Sequence, residues 1–222
     1  MSHDTKDIRN VALVGGAGGG KTTLVEALLQ QSGAIGRAGR VEDGNTVSDF
    51  TDLEREVGHS LESSVVHFDH DGIHVNLIDT PGGGDFIGHA IAALPEVGSV
   101  IIVIDAAVGI DPVARRMMKL TAERRLPRLI LVNRIDAADD LPALFAGIQE
   151  TFGSICQPIN LPADGGAAVI DCYRGIEGES DLGPVADFHT GIVDQVVEVD
   201  EALMARYLEQ GSVAPEELHD PF

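Results

Sequence analysis

A glycine-rich stretch at residues 15–23 constrains this chain more than any other part of it. The stretch reads Gly-Gly-Ala-Gly-Gly-Gly-Lys-Thr-Thr, which fits the pattern of Gly, any four residues and then Gly-Lys-Ser/Thr. Apolar residues 11–14 lead into it as a predicted strand, and a helical pattern over residues 22–31 follows it. The order of strand, glycine turn and helix predicts a loop that binds phosphate.

Each residue type in this loop suits a phosphate ligand. Glycines let successive backbone N–H groups turn inward, and the following helix contributes the positive end of its dipole. Lys21 adds a point charge, and the Thr22 hydroxyl is a ligand for Mg²⁺. The alternative is a flexible glycine loop that ends in Lys-Thr by chance. Lysine is scarce in the chain, which argues against chance. The predicted phosphate-binding residues are Gly15, Gly16, Ala17, Gly18, Gly19, Gly20, Lys21, Thr22 and Thr23.

A second motif, Asp-Thr-Pro-Gly at residues 79–82, follows two strand-like runs. The runs cover residues 64–68 and 73–78, and the turn between them predicts an antiparallel hairpin. A carboxylate at the end of a strand beside the phosphate loop can hold Mg²⁺ through water, so Asp79 is a predicted metal residue. Gly82 can offer its N–H to a γ-phosphate. The alternative is an ordinary turn.

Residues 33–60 form a long polar stretch without clear periodicity. Loops longer than about 12–15 residues are usually functional or mobile. This stretch follows the helix of the phosphate loop, where a segment that senses the γ-phosphate would lie. A tolerated surface insertion is the alternative.

A third motif, Asn-Arg-Ile-Asp at residues 133–136, follows the predicted strand 128–132. The Asp136 carboxylate can accept hydrogen bonds from the ring N–H and the exocyclic amine of guanine, a pair of donors that adenine lacks. Asn133 is predicted to bond the base and to brace the phosphate loop. Alone, the motif could be a polar turn. Three motifs in this order, each at the carboxyl end of a strand, predict a nucleotide site.

The remaining pattern alternates strands and helices. A strand at 99–105 lies between helices predicted at 86–94 and 112–124, and a helix follows residue 140. We therefore expect a P-loop NTPase fold of three α/β/α layers, with a mostly parallel sheet, one antiparallel edge hairpin and a small α+β insertion. Beyond residue 152 we expect strands at 155–160 and 168–172, a helix at 188–208 and an acidic tail.

Composition excludes several classes of protein. The 222 residues are 44% hydrophobic, too many for a disordered chain. The net charge of -21 disfavours direct binding to nucleic acid or to an anionic membrane. No apolar run reaches the roughly 18–20 residues of a spanning helix. Two cysteines without a Cys-x-x-Cys spacing, and no secretory leader, predict a reduced cytoplasmic protein.

Four stretches carry a resemblance to a known family: residues 8–10, residues 76–82 together with 85–86, residues 133–136 and residues 200–208. They resemble the GTP-binding domain of translational GTPases, most closely elongation factor G and its elongation factor G-like relatives. Residues 200–208 resemble part of an insertion that elongation factor G carries inside this domain. The resemblance implies GTP or GDP and Mg²⁺ as ligands, the ribosome as partner, a core over residues 1–160 and an insertion over residues 161–222.

The resemblance also implies roles for individual residues. Lys21 and Gly82 are the expected catalytic residues, Thr22, Ser60 and Asp79 the metal residues, and Asn133, Arg134 and Asp136 the guanine-reading residues. Relatives have a His after Asp-Thr-Pro-Gly that orients the attacking water, where this chain has Gly83. We therefore expect weak turnover, and we do not assign the missing role to His89.

Other departures concern the switch and the base site. The family's Arg-Gly-Ile-Thr aligns with Val57, Gly58, His59 and Ser60, so only the hydroxyl is retained. Gly18 replaces a common Asp, and Arg134 replaces the base-stacking Lys. Relatives continue with a further strand and a loop that closes over guanine, which residues 137–222 do not contain, so we expect a truncated domain. Two rivals stay open: a guanine-nucleotide switch without hydrolysis, and an ATP-using phosphate-loop protein.

Overall fold

The structure is a computed structural model that describes residues 3–48, 51, 53–54 and 59–210. The chain divides between Asn133 and Arg134 into two compact units, and each is described by itself. Residues 57 and 58 of the predicted switch and residues 213–222 of the predicted tail lie outside the described residues. Within the described residues, no helix has the length and apolar character needed to cross a bilayer.

The first unit is built on a five-stranded sheet. Its strands are β1 (Ile8–Gly15), β2 (Ser64–His70), β3 (Ile73–Asp79), β4 (Ser99–Asp105) and β5 (Arg128–Asn133). They lie in the order β2-β3-β1-β4-β5, with β2 antiparallel to β3 and the other neighbours parallel. The predicted edge hairpin and the mostly parallel sheet are therefore confirmed.

Three helices of the first unit match the predicted positions. They are α1 (Lys21–Gln31), α2 (Ile87–Ala93) and α3 (Pro112–Glu123), and 3-10 turns flank α2 at both ends. Helix α3 begins where the Asp111 carboxylate accepts hydrogen bonds from Val113 N at 2.7 Å and Ala114 N at 3.0 Å. Such a cap satisfies backbone donors that have no partner within the helix.

The carboxyl ends of β1 and β3 lie next to each other above the core of this unit. Leu13, Leu77 and Val103 of the central strands are buried against Val25 and Leu29 of α1. In the parallel ladder Leu13 pairs with Asp79, and on the other side of β1 Gly15 pairs with Val103. The phosphate loop after β1 and the Asp-Thr-Pro-Gly motif after β3 therefore emerge side by side, as parallel strands require.

The second unit has small sheets and helices. Its elements are α4 (Leu141–Phe152), β6 (Asn160–Ala163), β7 (Ala168–Asp171), β8 (Glu179–Ser180), β9 (Gly183–Pro184), α5 (Val185–Val197) and α6 (Glu201–Gln210). Strands β6 and β7 pair antiparallel, as do β8 and β9. Leu161, Cys172, Ile192 and Leu203 are among the buried residues of its core.

Two predicted elements of this unit are wrong. The strand expected at 155–160 begins only at Asn160, because Cys156 N closes a turn onto Gly153 O and Pro158 has no N–H for a ladder. The single helix expected at 188–208 is two helices. The Asp200 carboxylate accepts hydrogen bonds from Ala202 N and Leu203 N, both at 2.9 Å, and so starts the second helix.

Candidate nucleotide and metal site

The glycine-rich loop connects β1 to α1 and turns through glycines with positive φ. Gly20, the residue before α1, has φ 84°, a left-handed conformation that favours glycine. Gly20 has no side chain that could cap the first N–H groups of α1. The first N–H groups of a helix have no partner inside it, and together with the helix dipole they form a site for an anion.

Lys21 lies beneath this loop. Lys21 is only 6% exposed. Its Nζ donates to Gly15 O at 2.9 Å and to Gly16 O at 2.8 Å. Burial lowers the pKa of Lys21, although the carboxylates of Asp79 and Asp111 oppose that effect. The ammonium group is thus held at the loop itself, where it can act on a bound phosphate.

Gly82 packs its backbone directly against the loop. A Cβ at this position would lie 2.5 Å from both Gly16 O and Lys21 Nζ and 2.6 Å from Ala17 N. Thr80 holds the same segment in place, because its Oγ1 donates to Leu13 O at 2.6 Å. Only glycine allows this approach, and Gly82 lines the cavity beside the loop.

Three oxygen-bearing side chains from separate segments meet beside Lys21. Thr22 Oγ1 donates to Asp79 Oδ2 at 2.8 Å, and it lies 3.3 Å from Ser60 Oγ. Asp79 is 2% exposed at the end of β3. Hydroxyl and carboxylate oxygens are the ligands that Mg²⁺ takes from proteins, so this trio fits that ion. The structure therefore brings together all three predicted metal residues.

The segment that carries Ser60 is tied down by two buried glutamates. Glu26 of α1 accepts hydrogen bonds from Gly39 N at 2.6 Å and Val47 N at 2.5 Å. One carboxylate oxygen of Glu54 accepts hydrogen bonds from the backbone N–H and the hydroxyl of Thr51. The other oxygen accepts hydrogen bonds from the backbone N–H groups of residues 61 and 62. Glu54 therefore anchors the residue that follows Ser60.

Hydrogen bonding in this setting favours the ionised form of Glu54. Burial raises the pKa of its carboxyl, but the hydrogen bonds from Leu61, Thr51 and Glu62 outweigh burial, and the pKa lies below its ordinary value. Sequence reasoning missed both glutamates. Glu26 lies among apolar residues of the predicted first helix and Glu54 in the polar stretch, and the partners of both are mostly backbone N–H groups that no sequence pattern reveals.

A cavity of about 240 Å³ opens beside the loop. Gly16, Ala17, Gly82, Gly83 and Asp111 contribute to its wall. Asp111 was not predicted as a site residue, although Asp before Pro is a recognisable start of a helix.

Gly83 has an extended backbone with φ -65° and ψ 136° and presents no side chain. His89 is exposed on α2, with its ring centroid 6.5 Å from that of Phe86.

The third motif spans the boundary between the two units. Asn133 ends β5, and its Nδ2 donates to Gly19 O at 2.9 Å, which is the brace that the sequence predicts. Arg134 and Asp136 belong to the second unit. Arg134 adopts a left-handed conformation with φ 58°, and a 3-10 turn follows over Ile135–Ala137. Both side chains are exposed.

Comparison with known proteins agrees with these features. Residues 6–211 match the family described as elongation factor Tu GTP binding domain. An elongation factor G-like protein of Mycobacterium tuberculosis is 34% identical over 90% of this chain and 30% of its own. A Staphylococcus aureus peptide chain release factor 3 is 35% identical over 73% of this chain and 32% of its own.

Two further matches support the same grouping. The oxytetracycline resistance protein of Streptomyces rimosus is 31% identical over 93% of this chain and 31% of its own. A crystal structure of a Thermus thermophilus protein superposes with a TM-score of 0.86 and 35% identity, covering 97% of this chain and 35% of that one. The chain spans about a third of the length of the curated relatives it matches. It belongs to the elongation factor Tu-type family of GTP-binding domains, the G domains of translational GTPases.

Proposed function

We propose that the chain is a Mg²⁺-dependent GTP- and GDP-binding domain of an elongation factor G-like GTPase, which hydrolyses GTP to GDP and phosphate with weak intrinsic turnover. One observation carries the proposal: Lys21, Gly82 and the hydrogen-bonded pair of Thr22 and Asp79 converge on a single loop. A phosphate chain with a bound cation needs this combination of donors and acceptors.

The residues divide the work as follows. The backbone of residues 15–23 and the Lys21 ammonium hold the phosphates, and the Gly82 N–H contacts the γ-phosphate. Thr22, Ser60 and Asp79 hold Mg²⁺ directly or through water. Bound Mg²⁺ supplies positive charge against the phosphate oxygens. Asn133, Arg134 and Asp136 read guanine, with the Arg134 guanidinium stacking on the base.

The nucleotide proposal is tested by titrating the chain, with Mg²⁺, against fluorescent GDP and then competing with GTP, GDP and ATP. Displacement by guanine nucleotides alone is expected. Asp136→Asn should reduce the preference for guanine over adenine about tenfold or more, because the carboxylate that pairs with two base donors is lost. Asp139→Asn, a nearby exposed carboxylate, is the matched control. Equal displacement by ATP would point instead to an ATP-using protein.

Gly83 favours a second candidate function, a guanine-nucleotide switch that does not hydrolyse GTP. A glycine has no group to orient water, although it lies on the wall of the cavity beside the phosphate loop. Single-turnover phosphate release in the presence of ribosomes separates the two functions. Stoichiometric binding without release above background would favour the switch.

A gain-of-function variant makes the same distinction. Gly83→His should raise ribosome-stimulated phosphate release about tenfold or more. A positioned general acid or base typically raises the rate of a reaction by about 10²–10⁴-fold. Gly84→His places the same side chain one residue further on, where a Cβ meets open space, and should not raise it.

The wider setting is also a proposal. Relatives named as an elongation factor G-like protein, a release factor and an oxytetracycline resistance protein support the ribosome as partner and the cytoplasm as location. We assign residues 1–160 to the GTP-binding core and residues 161–222 to an insertion. Nucleotide contacts therefore belong to the core, and limited proteolysis that spares nucleotide binding should remove only the insertion.

A further inference from the structure

A cluster of imidazole rings lies on the β2–β3 hairpin, at the opposite end of β3 from Asp79. In the antiparallel ladder Asp69 pairs with His74, so both side chains lie on one face. His74 Nδ1 donates to Asp69 Oδ1 at 2.7 Å. From the segment before β1, His3 Nε2 reaches the same oxygen at 3.6 Å.

The cluster is already organised. The rings of His3 and His74 stack with centroids 4.4 Å apart, and the ring of His67 lies 5.4 Å from that of His74. The side chains of His3 and His74 are 24% and 19% exposed, whereas that of Asp69 is 62% exposed. One side of the cluster therefore remains open to water. Little side-chain entropy is left for a ligand to remove from the two imidazoles.

The donor atoms suit a particular class of ligand. One ligand atom from each of His3, Asp69 and His74 lies within 4.8 Å of the others. Two imidazole nitrogens and one carboxylate oxygen are typical ligands of Zn²⁺ and of Co²⁺, Ni²⁺ or Cu²⁺, whereas Mg²⁺ prefers oxygen alone. Tetrahedral Zn²⁺ with bonds of about 2.0–2.1 Å places ligand atoms about 3.3 Å apart. The separations of 2.7 and 3.6 Å bracket that spacing.

We propose that His3, Asp69 and His74 form a binding site for a divalent transition metal, with Zn²⁺ as the first candidate and water completing its coordination. The metal links the segment before β1 to the hairpin. The site is distinct from the oxygens of Thr22, Ser60 and Asp79, because His74 and Asp79 lie five residues apart on β3, or about 17 Å at the rise of a strand.

The experiment uses the full chain without a polyhistidine tag, stripped with chelator and kept in excess Mg²⁺ and GDP. Zn²⁺ is titrated by calorimetry, and Co²⁺ by its visible absorption. One equivalent of Zn²⁺ should bind, the melting temperature should rise with Zn²⁺ but not with added Mg²⁺, and Co²⁺ should develop ligand-field bands.

Variants localise the metal. His74→Gln and His3→Gln should each weaken Zn²⁺ binding at least about tenfold, because each removes one of three protein ligands. His89→Gln removes an exposed histidine of α2 and should leave binding unchanged. His3 lies outside the sheet, so its variant keeps the fold even if His74→Gln does not. Equal affinity in His3→Gln and His89→Gln, or no binding by the unmodified chain, would overturn the proposal.

Discussion

Replacing Glu54 by Gln tests how the Ser60 segment is held. The two side chains have nearly the same shape, but the amide has one acceptor oxygen where the carboxylate has two. One carboxylate oxygen accepts from Leu61 N at 3.0 Å and Glu62 N at 3.2 Å. The other accepts from Thr51 N at 3.1 Å and Thr51 Oγ1 at 2.8 Å. Whichever way the amide turns, two donors face an NH₂ group.

The expected loss follows from this count. A buried donor left without an acceptor costs about 1–3 kcal/mol, so two such donors set a range of about 2–6 kcal/mol. Glu54 itself is 1% exposed, but Thr51 and Leu61 are only half-buried and Glu62 is exposed, so water reaches some of these donors. We therefore expect Glu54→Gln to lower the free energy of unfolding by about 2–4 kcal/mol.

Urea unfolding at pH 7 measures this change. The matched control is Glu62→Gln, which removes the same charge from an exposed side chain and should change the free energy of unfolding by less than about 0.5 kcal/mol. If the two variants agree within that margin, the Glu54 carboxylate does not hold the segment, and the reasoning is refuted.

The pH dependence of the free energy of unfolding tests the role of the Glu54 carboxylate independently. Hydrogen bonding keeps the pKa of Glu54 below its ordinary value of 4.5, so the native state binds this proton less tightly than the unfolded state. The stabilisation is complete above the ordinary pKa and is lost as pH falls through the lower folded pKa. The stability difference between the wild-type chain and Glu54→Gln should therefore be constant from about pH 6 upward and shrink towards about pH 3. A difference that grows on acidification would contradict this sign.

Three further outcomes are expected. Gly82→Ala should weaken GDP binding about a hundredfold, because its Cβ meets Gly16 O at 2.5 Å, whereas Gly84→Ala, in open space, should bind normally. Asn133→Ala should weaken GDP binding about fivefold or more, since the 2.9 Å brace to the loop is lost; equal affinity would remove that role. Burial raises the pKa of the Cys172 thiol to about 11, so iodoacetamide at pH 7.5 should label Cys156 first, as mass spectrometry of digests will show.

The secondary structure was predictable where a pattern within a single segment of the sequence determines it. Strand β4 matches its prediction at both ends, because a continuous apolar run at a buried position in a parallel sheet has a strong pattern. The strand expected at 155–160 failed because apolar content outweighed Pro158 in the prediction. The break between α5 and α6 was missed because apolar spacing continues across it, while the local cap by Asp200 interrupts the helix.

The candidate site was predictable only in part for a related reason. Lys21, Thr22, Asp79 and Gly82 belong to short motifs whose chemistry dictates their residue types. Glu54 has no such motif. Its role depends on backbone donors brought together by the path of a loop, and tertiary structure alone determines that path.

The elements that carry the oxygens of Thr22, Asp79 and Ser60 differ in how far they can shift. Thr22 belongs to a helix and Asp79 to a strand that is hydrogen-bonded on both sides, so moving either one breaks a regular ladder. Ser60 precedes β2 and lies outside the regular elements. Regular elements therefore set the spacing of Thr22 and Asp79, and in the proposed Mg²⁺ site this spacing would limit the size of the ion. Ser60 is held through side-chain hydrogen bonds of its segment rather than by a ladder, so under the proposed function we expect a distance probe near it to respond to bound nucleotide more than a probe on β3.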